Sequence, residues 1–258
     1  MGGSDTTGTY GAEQGGAQSG NAKNAGAEKD SAPSWLLGPR AAFDVETTGR
    51  DPHQARLVTA SVVLLDASGE VTRSRDWLVD PGVEIPEQAS EIHGITTEQA
   101  RAEGQPIEEA VRHIVESLSW LFGRGIPVVA FNAPYDFTVM AAECARFQVA
   151  PTAPLPVIDP FVLDKQVDRF RPGKRTLSAT CAEYHVSLEQ AHTSAADALA
   201  AVRLAEALVG RYPELGVPAA ELHRAQIGWA REQAESFQAY LRGKGQSDAV
   251  IDGTWPVA

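Results

Sequence analysis

Apolar side chains are distributed unevenly along this chain, and their spacing sets out its elements. From Gly2 to Pro33 there is no Leu, Ile, Val, Phe or Trp, while Gly, Ala, Ser and Asn dominate. Such a stretch cannot bury enough apolar surface to offset the entropy of ordering, so a disordered tail is expected over residues 1–33. Short apolar runs at Arg40–Glu46, Leu57–Leu65 and Val71–Val79 predict three strands. The turn Asp66-Ala67-Ser68-Gly69 separates the last two, and antiparallel pairing of all three is expected. Between Ile107 and Phe122 apolar residues fall at 107, 111, 114, 115, 118, 121 and 122, the period of a helix. Ile126–Phe131 predicts a fourth strand and Pro134–Phe147 a helix with proline in its first turn. Pro156–Asp159 predicts a short fifth strand, followed by helices at about 160–167, 176–184 and 194–210. A last amphipathic helix is expected over Pro218–Leu241, with Trp229, Phe237, Tyr240 and Leu241 on its packed stripe.

Three meandering strands followed by strand–helix alternation predict an α/β class: a mixed five-stranded sheet with helices on both faces. The organisation expected is a tail (1–33), a main domain (34–212) and a C-terminal helical extension (213–258).

Charge narrows the function. Lys and Arg total 22 against 34 Asp and Glu, a net charge of −12, which argues against a protein that coats duplex nucleic acid through many phosphate contacts. Cys144 and Cys181 lie in apolar helical contexts without C-x-x-C spacing and read as reduced core residues of a cytoplasmic protein. No run of about 20 apolar residues and no basic-then-apolar leader is present, so no membrane association is expected. One dense basic stretch, Asp168–Arg175, interleaves Arg169, Arg171, Lys174 and Arg175 with Phe170, a composition suited to steering a single strand.

Four acids stand where apolar residues would be expected. Asp44 and Glu46 are two apart on a strand, so both project from one face while Phe43 and Val45 fill the other. Asp136 shares its helix stripe with Val139, Met140, Cys144 and Phe147, and Asp197 shares its own with Ala201, Leu204 and Leu208. Three segments thus deliver carboxylates to a common interior, where an uncompensated one costs roughly several kcal/mol or becomes protonated. Acceptor-only oxygens in this number match two hard divalent ions, Mg²⁺ or Mn²⁺. His192, just before the helix that carries Asp197, offers an imidazole able to take a proton from metal-bound water near neutral pH. The chemistry this set suits is in-line hydrolysis at phosphorus. A G-x-S-x-G elbow, a P-loop, zinc-finger spacing and a dinucleotide fingerprint are all missing from the sequence.

Phe43-Asp44-Val45-Glu46-Thr47-Thr48-Gly49, Asn132-Ala133-Pro134-Tyr135-Asp136 and His192-x4-Asp197 resemble the three motifs of the DEDDh exonucleases, and Ile92-His93-Gly94-Ile95-Thr96 between them also fits. Within that family the chain resembles the proofreading epsilon subunit of bacterial DNA polymerase III and its stand-alone relatives. The resemblance covers about residues 40–210 and implies a ribonuclease H-like fold and 3′→5′ exonuclease activity releasing nucleoside 5′-monophosphates. It further implies that Asp44, Glu46, Asp136 and Asp197 hold two metals and that His192 is the general base. The Thr47 backbone N–H and nearby atoms, Thr48 included, would contact the terminal 3′-OH. His93 and Tyr135 would line the terminal nucleotide's pocket, and Asn132 would support the site by hydrogen bonds. The substrate expected is the single-stranded or frayed 3′ end of DNA, with RNA as the alternative, and the partner a polymerase or repair protein. A non-catalytic partner-binding module on the same fold is the competing class, and the intact acidic set argues against it.

Overall fold

The strand that carries the first two acids, β1 (Arg40–Thr47), lies inside the sheet, with neighbours on both edges. The computed structural model describes residues 34–188 and 192–258; the tail expected over residues 1–33 lies outside the described residues. β1 runs antiparallel to β2 (Leu57–Leu65), and β2 antiparallel to β3 (Val71–Asp80), with Asp44 opposite Ser61 and Glu46 opposite Thr59. Two short helices follow, α1 (Glu87–His93) and α2 (Thr97–Glu103), then a two-residue strand β4 (Gln105–Pro106) and the long helix α3 (Ile107–Phe122). The second half alternates: β5 (Val128–Val129), α4 (Ala133–Arg146), β6 (Val157–Ile158), α5 (Pro160–Val167), α6 (Leu177–Glu183), α7 (Ser194–Arg211) and α8 (Ala219–Gly243). The sheet order is β4-β3-β2-β1-β5-β6, with β3–β4, β1–β5 and β5–β6 parallel.

The α/β class, the mixed sheet and the antiparallel three-strand meander agree with the sequence reading, but the sheet has six strands where five were expected. The additional one, β4, pairs only Gln105 and Pro106 with Val79 and Asp80, too little for any periodicity. Gly104 permits that approach, because a Cβ there would sit 2.3 Å from the Ala100 carbonyl oxygen and 2.5 Å from the Asp80 nitrogen.

Alternation along β1 divides the core. Ala41, Phe43 and Val45 pack with Val62 and Trp77 against Ile114 and Leu118 of α3 and Phe137 and Met140 of α4. Ala42, with Val63 and Leu65, faces Val202, Leu204 and Leu208 of α7, with Cys181 and Leu222 beside them. Both cysteines are buried free thiols, and burial pushes each up to about 11.

The stripe expected on the C-terminal helix holds at Trp229, which packs against both cores, and is corrected further along. α8 turns Leu222, His223, Gln226 and Ala234 inward, while Phe237 and Tyr240 are exposed. β6 is the reason: as an edge strand it needs hydrogen-bond partners on its open side. His223 Nδ1 accepts from the Val157 N–H (3.0 Å), and Gln226 accepts from the Asp159 N–H (2.7 Å) while donating to the Val157 carbonyl (3.0 Å). Beyond α8 the chain returns to the domain: Trp255 is buried, and the Ala258 N–H donates to Thr138 Oγ1 (2.9 Å).

Candidate active site

The three acidic segments converge at the C-terminal end of β1. The Val45 N–H donates to Asp136 Oδ1 (3.1 Å), which fixes the first turn of α4 between Asp44 and Glu46 along the backbone. α7 is anchored at its start by Ser194 Oγ, 2.8 Å from Ser61 Oγ on β2, so Asp197 stands over the face that carries Asp44 and Glu46. The β1–β2 register shifts between Glu46 and Thr47, beside the acids, as irregularities in sheets often do next to functional sites. His192 has a left-handed backbone (φ 72°), and its N–H points at the Asp197 carboxylate (3.3 and 3.4 Å). Ligand atoms of Glu46, His192 and Asp197 all lie within 4.8 Å of one another.

The electrostatics of this arrangement are unfavourable without cations. Desolvation, then the charges of Asp136, Glu46 and Asp197, raise the Asp44 carboxyl well above its usual range. Asp136, buried inside α4, is raised by desolvation although the Val45 N–H partly offsets it. Burial, then Asp197, pushes Glu46 up to about 7; burial also raises Asp197, against the opposing N–H of His192. A set of acceptor-only oxygens that resist ionising together is a donor set for hard divalent ions, and these residues fit such ions.

A cleft of about 640 Å³ opens beside Glu46, lined by Thr47, Thr48, Gly49, His93 and Tyr135 among others. Thr47 Oγ1, the Tyr135 hydroxyl and the Gly49 carbonyl form a closed triangle of contacts that fixes the phenol at the cleft wall. His93 ends α1, held there by the left-handed Gly94 (φ 77°). Its Nδ1 accepts from the Ile95 N–H (3.2 Å), which leaves the proton on Nε2. That Nε2 is buried with no well-aligned hydrogen bond among the described residues; burial lowers the imidazole's pKa, and the neighbouring Thr47 backbone opposes that shift. A ligand hydroxyl entering the cleft would satisfy it.

Asn132 is placed differently from the other expected residues. It is exposed, left-handed (φ 62°), and its side chain makes no capping hydrogen bond to α4. Its backbone N–H instead donates to Asp159 Oδ1 (2.8 Å). Asp159, which sequence reasoning missed, is fully buried and accepts also from Ala133 N–H (3.0 Å), Phe161 N–H (2.9 Å) and the Trp255 indole (3.2 Å). Burial pushes it up to about 6 and the four donors hold it back. Glu143 was missed too: buried in α4, it pairs with Arg56 (2.9 Å) and Arg146 (3.3 Å) and accepts from the Leu57 N–H (3.2 Å). Its position seven residues after Asp136, on the same helix stripe, was the available signal.

The basic stretch is partly turned inward. Arg171 (2.8 Å) and Arg175 both pair with the buried Asp164, so their charge is spent inside the fold, whereas Phe170 is 89% exposed. Among the described residues, no helix is long and apolar enough to cross a membrane.

Known proteins resemble this chain in sequence and in fold. Solved structures of exonuclease I share its architecture: one overlays with a TM-score of 0.58 at 19% identity, covering 69% of this chain and 42% of that one. Another, Escherichia coli exonuclease I in complex with a dT13 oligonucleotide, gives 0.57 at 18% identity with the same coverage. The fold is therefore the ribonuclease H-like fold of these exonucleases. The family described as Exonuclease matches residues 41–205, and the chain belongs to that family. A DNA polymerase III of PolC type from Streptococcus suis is 29% identical over 164 residues, 63% of this chain and 10% of the relative. A DNA polymerase III subunit epsilon-like protein from Rhodobacter capsulatus is 29% identical over 177 residues, 67% of this chain and 23% of the relative. The chain thus spans a quarter or less of the length of these curated relatives.

Proposed function

We propose that the protein is a divalent-metal-dependent 3′→5′ exonuclease that removes nucleoside 5′-monophosphates from the 3′ ends of DNA. One observation carries the reading: carboxylates from β1, α4 and α7 are gathered beside a cleft lined by His93 and Tyr135, and Asp136, Glu46 and Asp197 add to the burial that raises the Asp44 carboxyl. Residues 34–212 would carry the activity, and 213–258 would be an extension that supports it through β6 and Asp159.

In this reading Asp44, Glu46, Asp136 and Asp197 hold two Mg²⁺ or Mn²⁺ ions. Bound there, the ions would neutralise the acids and stabilise charge developing on the phosphate oxygens. His192 takes a proton from the attacking water, whose oxygen forms a bond to phosphorus. The bond from phosphorus to the 3′-oxygen of the preceding nucleotide breaks, its electron pair leaves with that oxygen, and solvent supplies the proton. Thr47, Thr48, His93 and Tyr135 receive the terminal nucleotide, and the His93 Nε2–H donates to its hydroxyl. Asn132 supports the site through its backbone hydrogen bond to Asp159. DNA is favoured by the polymerase III relatives and by the oligodeoxynucleotide found in exonuclease I.

The test is a time course on 5′-labelled single-stranded DNA, mismatched primer–template and RNA with Mg²⁺, with Asp197→Asn as control. A ladder of shortened labelled products on DNA, absent in the control and in chelator, is expected. Intact DNA, or a ladder that persists in Asp197→Asn, would contradict the reading.

A further inference from the structure

Outside the acidic site the chain has a second cavity, of about 620 Å³, lined by Asn132, Phe161, Lys165, Gln233, Phe237 and Trp255 among others. It is built jointly by the exonuclease fold and the C-terminal extension, since Gln233 and Phe237 belong to α8 and Trp255 to the returning chain end. It shares a wall with the first cleft: Asn132 and Pro134 line it, while Tyr135, in the same first turn of α4, lines the other. We infer that this cavity and the surface beyond it hold the single strand upstream of the cleaved end, a claim that rests on the exonuclease reading.

Three features of the surface point to that ligand. Lys165 is half-buried and has no salt bridge among the described residues; its ammonium lies 4.7 Å from the centre of the Phe161 ring. Burial, then the charge of Arg175, lowers its pKa more than the buried Asp159 in the cavity wall raises it, so an incoming anion such as a phosphate would stabilise the charged lysine. Beside the cavity, three large aromatic rings are exposed: Phe170 at 89%, Phe237 at 48% and Tyr240 at 58%. Arg169 donates to Ser236 Oγ (3.1 Å), which brings the Phe170 loop against α8 next to Phe237. Phe237 and Tyr240 stack on each other (6.4 Å, 14°), and Lys244 lies 5.7 Å from the Tyr240 ring centre. Rings interleaved with cations are the sequence-tolerant means of holding unpaired bases and their phosphates. The exposed acid at the rim, Asp252, accepts on Oδ1 from the Thr254 N–H (2.8 Å) and hydroxyl (2.6 Å).

The experiment uses the full chain in chelator, so that binding is read without cleavage. Fluorescence anisotropy with a labelled oligo-dT of about 12 nucleotides compares wild type, Lys165→Gln, and a triple Phe170→Ala, Phe237→Ala, Tyr240→Ala variant. A rise in Kd of about tenfold or more is expected for the triple variant. For Lys165→Gln the salt slope should flatten by about 0.7. With Mg²⁺, hydrolysis of the p-nitrophenyl ester of thymidine 5′-monophosphate, which fills only the first cleft, should be unchanged in both. Wild-type affinity in both variants overturns the strand path even if the ester is hydrolysed. An ester that wild type leaves intact, with oligomer binding still lost in the variants, overturns the exonuclease reading and leaves the binding surface standing.

Discussion

At the scale of single residues, the balance between burial and partners decides each acid's role. Asp159 is as deeply buried as any, yet four N–H donors meet it. Asparagine in its place would present an amino group to donors, so Asp159→Asn should cost about 1–3 kcal/mol in chemical denaturation. The site acids are the opposite case: desolvation outweighs their hydrogen bonds, and at Asp44 and Glu46 neighbouring carboxylates add to it. Asp44→Asn should therefore lower exonuclease turnover at least about a hundredfold while leaving the melting temperature in chelator unchanged or higher. A loss of stability in that variant would contradict the electrostatic account. The same imbalance sets a pH dependence. Glu46 titrates at about 7 when folded against an ordinary 4.5, so between these values the folded chain binds more protons than the unfolded chain. In chelator the melting temperature should fall as pH rises through that window, and added Mg²⁺ should raise it more at pH 8 than at pH 5. A flat profile, or a rising one, would count against it. The alternation of Asp44 and Glu46 with Phe43 and Val45 made these acids visible in sequence. Asp159 was hidden because an aspartate before Pro160 reads as an ordinary helix cap, which it also is.

At the scale of elements, legibility followed the apolar pattern. α3 spans Ile107–Phe122 as its apolar period predicted, and β2 spans Leu57–Leu65. α1 and α2, seven residues each, were not expected: the only large apolar residue in either, Ile92, is exposed, and their caps define them. Gly94 ends one, and the Thr96 hydroxyl starts the other by accepting from the Gln99 N–H (3.2 Å). Their omission mattered, since α1 is what delivers His93 to the cleft. On α8, Trp229 packs inward as its apolar spacing suggested, but Phe237 and Tyr240 do not, and His223 and Gln226 are buried instead. Polar groups were needed there to complete β6, a requirement that no helical periodicity records. Gln226→Ala would leave the Asp159 N–H and the Val157 carbonyl unpaired, at about 1–3 kcal/mol for each group. Because Asp159 also positions the start of α4, that variant should lose turnover as well as stability. Full activity alongside a lowered melting temperature would show that α8 is a brace for the sheet alone.

For the whole molecule, the sheet order explains why distant segments meet. β1 has β2 on one edge and β5 on the other, so the helix after β5 starts beside the end of β1, while α7 crosses the opposite face. Acids drawn from β1, α4 and α7 are thereby concentrated in a chain already carrying a net charge of −12. A cluster of this kind gains most from cations at the site, and a strand of phosphates is best received where rings and unpaired cations offset the acidic surface. Whether the acids hold metal is open to direct observation. In a crystal soaked with Mn²⁺, the anomalous difference map should show two peaks among the carboxylates of Asp44, Glu46, Asp136 and Asp197, about 3.5–4 Å apart. A fully soaked crystal with no peak among those four side chains would contradict the account.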